Sequence, residues 1–168
     1  LCLVMQDNQN VRVGDMALDY HKEGNENLYF CASDWINLNA KTNLNFNEIA
    51  DVVKSQVLMH LPSLGEAKRT YANGYPGYLR LDGNVKDISP VAQLLGYDVT
   101  LNNPIEIHGS FSTNDYSSMS IVAPQVEVDG SRYDNVSVYY SNRADSLSGN
   151  VMLTKYFGEN SVRIENSF

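Results

Sequence analysis

Cysteine, histidine and tryptophan are scarce in this 168-residue chain, with two, three and one copies respectively. Neither Cys2 nor Cys31 has a second Cys or a His at metal-ligand spacing, so no metal site is expected, and no cofactor motif is present. Cys31 sits in an apolar run that suits a small buried thiol, and a single bridge to Cys2 stays open. His21, His60 and His108 are isolated: none stands at a spacing that pairs it with a carboxylate or a second ligand, so each reads as an exposed or hydrogen-bonded imidazole. Basic residues are also few, twelve against twenty acidic ones, giving a net charge of −8 and a pI near 4.7. That balance excludes nucleic acid, whose binding rests on phosphate neutralisation by Lys and Arg. It also disfavours adsorption to anionic lipid surfaces, so a lipid partner has to be held through its tails. No stretch approaches the ~18 apolar residues of a spanning helix, and the opening residues 1–5 are too short for a signal peptide.

Catalytic signatures are missing too. No nucleophile elbow or phosphate-cradling loop occurs. Glu106, Glu127, Asp129 and Asp134 are carboxylates on strand-like segments, but no motif fixes a pair at the separation glycoside hydrolysis needs. The stretch 82–87 lacks the alternating ligands of a calcium loop. A non-enzymatic protein is expected.

What the chain does have is a thrice-repeated apolar pattern in strand phase: Leu81-x-Gly83-x-Val85, Ile107-x-Gly109-x-Phe111 and Leu147-x-Gly149-x-Val151. Positions two apart on a strand share a face, so each glycine leaves a notch in an apolar stripe, where a sheet can bend or something can approach closely. Residues 36–46 alternate strictly, with Ile36, Leu38, Ala40, Thr42, Leu44 and Phe46 against Asn and Lys, which predicts a half-buried strand of roughly 35 Å. Further strands are predicted at 11–20, 28–33, 77–87, 104–113, 117–123, 125–129, 135–140, 149–157 and 162–165, with Asp129-Gly130 as a hairpin turn. Two short helices interrupt them, at about 47–61 with Asn47 as cap, and at about 89–96 with Ser89 as cap and Pro90 in the first turn. The expected fold is mainly β (α+β): one domain over residues 1–168, a long curved and mostly antiparallel sheet with an apolar concave face. Eleven tyrosines and five phenylalanines are present, and Trp35, Tyr75, Tyr78, Tyr139 and Tyr140 would make a sugar-stacking platform if exposed together.

The stretch from Leu79 through Gly83, the helix Ile88-Ser-Pro-Val-Ala-Gln-Leu-Leu-Gly96, and the next strand Asn103 to Phe111 resembles the AsmA/TamB family of Gram-negative envelope proteins, in a Bacteroidota-type version. The resemblance implies a fragment of a longer repetitive protein, periplasmic and tethered to the inner membrane, whose sheet curls into an apolar trough. Such proteins are associated with outer-membrane biogenesis and phospholipid transport. The N-terminal anchor and the C-terminal module that meets an outer-membrane assembly protein have no counterpart in this segment, and the helix at 47–61 exceeds what a pure β-trough requires.

Residues suited to line such a trough for phospholipid acyl chains are Ile36, Leu38, Leu44, Phe46, Leu79, Leu81, Val85, Ile105, Ile107, Phe111, Met119, Ile121, Val136, Val138, Val151 and Leu153. Gly83, Gly109 and Gly149 would widen it or let it bend. The same pattern also suits a closed β-sandwich, serving as a scaffold or as a binding module for carbohydrate or protein.

Overall fold

Apolar–polar alternation runs through most of the chain, and the computed structural model turns it into antiparallel sheet. It describes residues 2–6, 9–60, 71–72, 75–112, 116–143 and 146–167. Strands β1 (Cys2–Gln6) and β2 (Gln9–Gly14) pair with each other. The main sheet takes β3 (Met16–Glu23), β4 (Glu26–Ser33) and β5 (Ile36–Thr42). Helix α1 (Phe46–His60) and a minimal pair, β6 (Tyr71–Ala72) with β7 (Tyr75–Pro76), come next. Then follow β8 (Tyr78–Val85), helix α2 (Ser89–Leu94), β9 (Val99–Leu101) and β10 (Ile105–Ser112). Four strands close the series: β11 (Tyr116–Val128), β12 (Ser131–Arg143), β13 (Ser146–Phe157) and β14 (Asn160–Ser167).

The ten-stranded sheet runs β14-β13-β12-β11-β10-β8-β5-β4-β3, with β9 beside the far end of β11. The other sheets among the described residues are the two-stranded ones, so the architecture is one open antiparallel sheet rather than a sandwich.

Several local predictions need correction, the first being the strand expected over residues 11–20, which breaks at Asp15 so that its two parts fall in β2 and β3, in different sheets. The strand expected over residues 36–46 stops at Thr42. Its hydroxyl donates to the Tyr78 carbonyl and accepts the Leu44 N–H at 3.1 Å, while Asn43 accepts the Tyr78 N–H at 2.9 Å. These side-chain bonds replace the ladder and turn the chain into α1. That helix is capped at Asn45 rather than Asn47: the Glu48 carboxylate accepts the Asn45 N–H at 2.8 Å and the Glu48 N–H returns to the Asn45 carbonyl at 2.9 Å. It begins at Phe46, and its predicted end at Leu61 lies outside the described residues. Helix α2 has Ile88 as its cap residue, because the Ser89 hydroxyl is turned to Asp87, 2.6 Å away; Gly96, at φ 80°, follows its end.

The strands predicted at 117–123 and 125–129 are one, β11, which runs through Pro124. A proline has no N–H for the ladder and is tolerated inside a sheet only at an irregularity. Here the register places it opposite Asn135, which has φ 54°, where β12 and β13 slip by one residue between Asp134 and Ser137. Asp129 and Gly130 both have positive φ, 48° and 74°, the geometry of a two-residue primed hairpin turn.

Registers align the side chains into rows that cross the strands. On one side a row carries Leu18, Cys31, Leu38, Gly83, Ile107, Ile121, Val138 and Val151. The adjacent row carries Tyr20, Tyr29, Ala40, Leu81, Gly109, Met119, Tyr140 and Gly149. Beyond it, at one end of the strands, come Asn27, Thr42, Leu79, Phe111, Ser117 and Asn142, all buried except Phe111. Helix α1 packs against β8 and β10 here, with Val52 fully buried. At the opposite end Val85 and Ala123 are buried, and α2 packs with β2 and β9 through a buried Ala92. The buried hydrophobic residues among those described are few: Leu44, Val52, Leu79, Val85, Ala92 and Ala123.

Candidate functional site

Between the two covered ends the apolar side stays half-open. The two middle rows cross from β3 to β13, and seven strand spacings at ~4.8 Å make that lane roughly 34 Å long. Of the residues singled out from sequence, Leu38, Leu81, Ile107, Met119, Ile121, Val138 and Val151 lie in these rows and are half-buried. Ile36, Val85, Ile105 and Val136 belong to the row at the α2 end, and Leu79 and Phe111 to the row at the α1 end. Leu153 continues the β13 stripe opposite Ile164. Leu44 and Phe46 are not on the strand: Leu44 is fully buried beside it, with its carbonyl accepting the Asn27 side-chain amide at 2.8 Å. Phe46 stacks edge-on against Tyr29, 5.8 Å away, which in turn lies 5.2 Å from Tyr20. At the β3 edge the lane runs out into solvent at Leu18, 74% exposed. Cys31 is a free thiol within it, so the bridge to Cys2 is not formed.

The glycine notches differ from one another. A Cβ on Gly83 would sit 2.4 Å from the Asn37 carbonyl oxygen and 3.1 Å from Leu38 Cα, so β5 backbone approaches this strand closely. At Gly109 the equivalent space is taken by a side chain, the Phe111 ring, whose Cε2 lies 2.8 Å from the same point. An aromatic laid over a strand glycine restores the apolar cover the glycine lacks. Gly149 is buried opposite Tyr140.

The other side of the sheet is polar, and His108 and His21 are exposed imidazoles there, as expected, though each has a carboxylate beside it. His108 Nδ1 lies 2.9 Å from Asp82 Oδ1 on the neighbouring strand, and His21 Nε2 lies 3.8 Å from Glu23. The signal was present in the repeats: each of Asp82 and His108 immediately precedes its glycine, and antiparallel pairing of the two motifs sets them face to face. Ser120 follows on the next strand, so Asp82, His108 and Ser120 are the residue types of a hydrolytic triad in consecutive strands. Backbone N–H groups there are engaged in the ladder, which leaves no donor pair for an oxyanion, and more than half of each acid and imidazole side chain is exposed.

The four carboxylates considered for glycoside hydrolysis do not assemble. Glu106 stands between Asn84 and Val122, and Glu127 faces Arg132. Asp129 accepts the Asp98 N–H at 2.9 Å. Asp134 is gripped by Arg132 at 2.8 and 2.6 Å, which holds its carboxyl below the usual range.

Nor do the five aromatics form a platform. Tyr139 and Tyr140 point to opposite sides, and Trp35 lies in the β4–β5 connection near Gly14. The Tyr78 hydroxyl donates to Glu26, and the side chain of Tyr75 is outside the described residues. Glu26 also pairs with Lys41 at 2.7 Å; the two partners hold its carboxyl low, while desolvation and the Glu26 bond push the Tyr78 phenol up to about 12.

Among the described residues no group of His, Cys, Asp and Glu can hold a metal ion, and no helix is long and apolar enough to cross a membrane. No family model matches this chain, and no curated protein and no solved structure matches it.

Proposed function

We propose that this chain is a non-enzymatic, periplasmic segment of an AsmA/TamB-like protein tethered to the inner membrane, whose apolar lane shelters phospholipid acyl chains during transport or outer-membrane assembly. The observation that carries the reading is the pair of half-exposed apolar rows left open between α1 and α2. Lipid tails are matched to such a surface, since each CH₂ removed from water is worth ~0.8 kcal/mol and a 16-carbon chain covered on one side regains roughly half of ~13 kcal/mol. One acyl chain spans half of a ~30 Å hydrocarbon core, so a lane of roughly 34 Å takes two in sequence. Curvature toward the apolar side completes the groove, and contact with an outer-membrane assembly protein falls to regions outside this segment.

Lipid extraction from the purified protein followed by mass spectrometry tests the reading, with displacement of an apolar fluorescent fatty acid as a second readout. Phospholipid is expected in the wild type and absent from Leu81→Asp and Ile121→Asp, while Val122→Asp, one residue along on the polar side, retains it. A wild type free of lipid that also fails to bind the fatty acid refutes the proposal, as does equal retention by folded Ile121→Asp.

A further inference from the structure

The polar side carries one row of its own that the lipid reading does not use: Phe30, Asn39, Asp82, His108, Ser120 and Tyr139, one residue from each of six adjacent strands. Two adjoining depressions, of about 630 and 270 Å³, open along it and share Asp82 and His108. The aromatic at each end is well exposed, Phe30 at 40% and Tyr139 at 44%, and five strand spacings of ~4.8 Å put them roughly 24 Å apart.

We propose that this row is a binding site for a neutral, linear oligosaccharide lying across the strands. Three features select that chemistry. Donors and acceptors alternate at one strand spacing along the floor, as amide, carboxylate, imidazole and hydroxyl, which suits successive sugar hydroxyls. Exposed rings at both ends offer flat apolar surfaces to the C–H faces of pyranoses, and an aromatic contact of this kind is worth ~0.5–1.5 kcal/mol. The charged side chains lining the two depressions are Asp82, Glu106 and Arg80, so no cluster of cations is set for an anionic ligand. With a net charge of −8 on the chain, an anionic glycan is repelled and a neutral one is not.

The test is titration of ¹⁵N-labelled protein with cellohexaose, maltohexaose, laminarihexaose and chitohexaose, with hexagalacturonate as the anionic arm. At least one neutral hexasaccharide is expected to shift the backbone amides of Asn39, Asp82 and Ser120 at low-millimolar concentration. Phe30→Ala and Tyr139→Ala are each expected to weaken it roughly two- to tenfold. Their double variant abolishes binding while leaving the circular dichroism spectrum and lipid retention unchanged, which separates this site from the opposite side. Failure of all four neutral glycans, binding of hexagalacturonate alone, or undiminished binding by the double variant overturns the proposal.

Discussion

Replacing Gly83 by alanine tests whether the glycine-notched motif marks close backbone approach. The new Cβ lies 2.4 Å from the Asn37 carbonyl oxygen, 2.9 Å from Leu38 Cδ1 and 3.1 Å from Leu38 Cα. Only one of those atoms belongs to a side chain, so relief requires β5 to move away from β8, opening ladder bonds that hold the centre of the sheet. Overpacking of this kind costs ~1–3 kcal/mol, against which alanine regains ~0.5–1 kcal/mol by restricting the unfolded chain. The difference is about 0–2.5 kcal/mol, and because two of the three contacts are backbone atoms the loss falls in the upper part, about 1–2.5 kcal/mol or about 2–10 °C in Tm for a domain of this size. Gly109→Ala is the internal control, because the Cβ there meets the Phe111 ring, which can rotate aside; its expected change is within about 0.5 kcal/mol. Urea unfolding of both variants against wild type, followed by circular dichroism, reads the difference. Equal effects at the two positions, or a Gly83→Ala midpoint at or above that of wild type, would refute the close-approach argument.

Thr42→Val keeps the shape of a fully buried residue but strands the Leu44 N–H and the Tyr78 carbonyl; urea denaturation is expected to show a loss of ~1–3 kcal/mol, mostly restored in Thr42→Ser. Glu48→Ala removes the acceptor of the Asn45 N–H, and hydrogen exchange at that amide should accelerate while stability falls by ~0.5–1 kcal/mol. The Tyr78 phenol has a folded value raised from 10.0 to about 12, so its contribution is complete below pH 10 and is lost as pH climbs toward 12. Thermal melts of wild type and Tyr78→Phe should therefore differ by a constant amount up to pH 10 and converge above it. Glu26 is shifted the opposite way, below 4.5, so its contribution is present above that pH and fades as acid protonates the folded form; Glu26→Gln should remove this acid limb from the melting curve.

The strands were legible wherever a two-residue period stood between turn signals, as at Ile105 to Ser112 and at the Asp129-Gly130 hairpin. Period alone failed at residues 43–46, where the alternation continues but Thr42 and Asn43 divert the backbone bonds to their own side chains. Asn45 and Asn47 are chemically equal caps in the sequence; the reach of Glu48 to the Asn45 amide decides between them. Which residues share a side followed from parity, but which rows are covered did not, because that depends on where α1 and α2 settle. The Asp82–His108 pair was hidden for a related reason: a cross-strand neighbour twenty-six residues away has no spacing signature until the register of two strands is known.

The distribution of polarity over the apolar side bears on why the lane is open. In a chain shaped for stability alone, covering elements belong over aliphatic rows, where each buried side chain contributes ~1.5–3 kcal/mol, and polar positions are left to water. Here the row beneath α1 includes Asn27, Thr42, Ser117 and Asn142, all buried, and Ser117 Oγ has no hydrogen-bond partner. Two rows away, Leu38, Ile107, Ile121 and Val138 keep part of their surface in solvent. The start of α1 is fixed by those polar groups themselves, since Thr42 accepts the Leu44 N–H and the Asn27 side-chain amide donates to the Leu44 carbonyl. On the lipid-sheltering reading proposed above, the burial missing from the open rows is made when a ligand supplies its own hydrocarbon, and the polar row under α1 marks the bank of the lane rather than its floor.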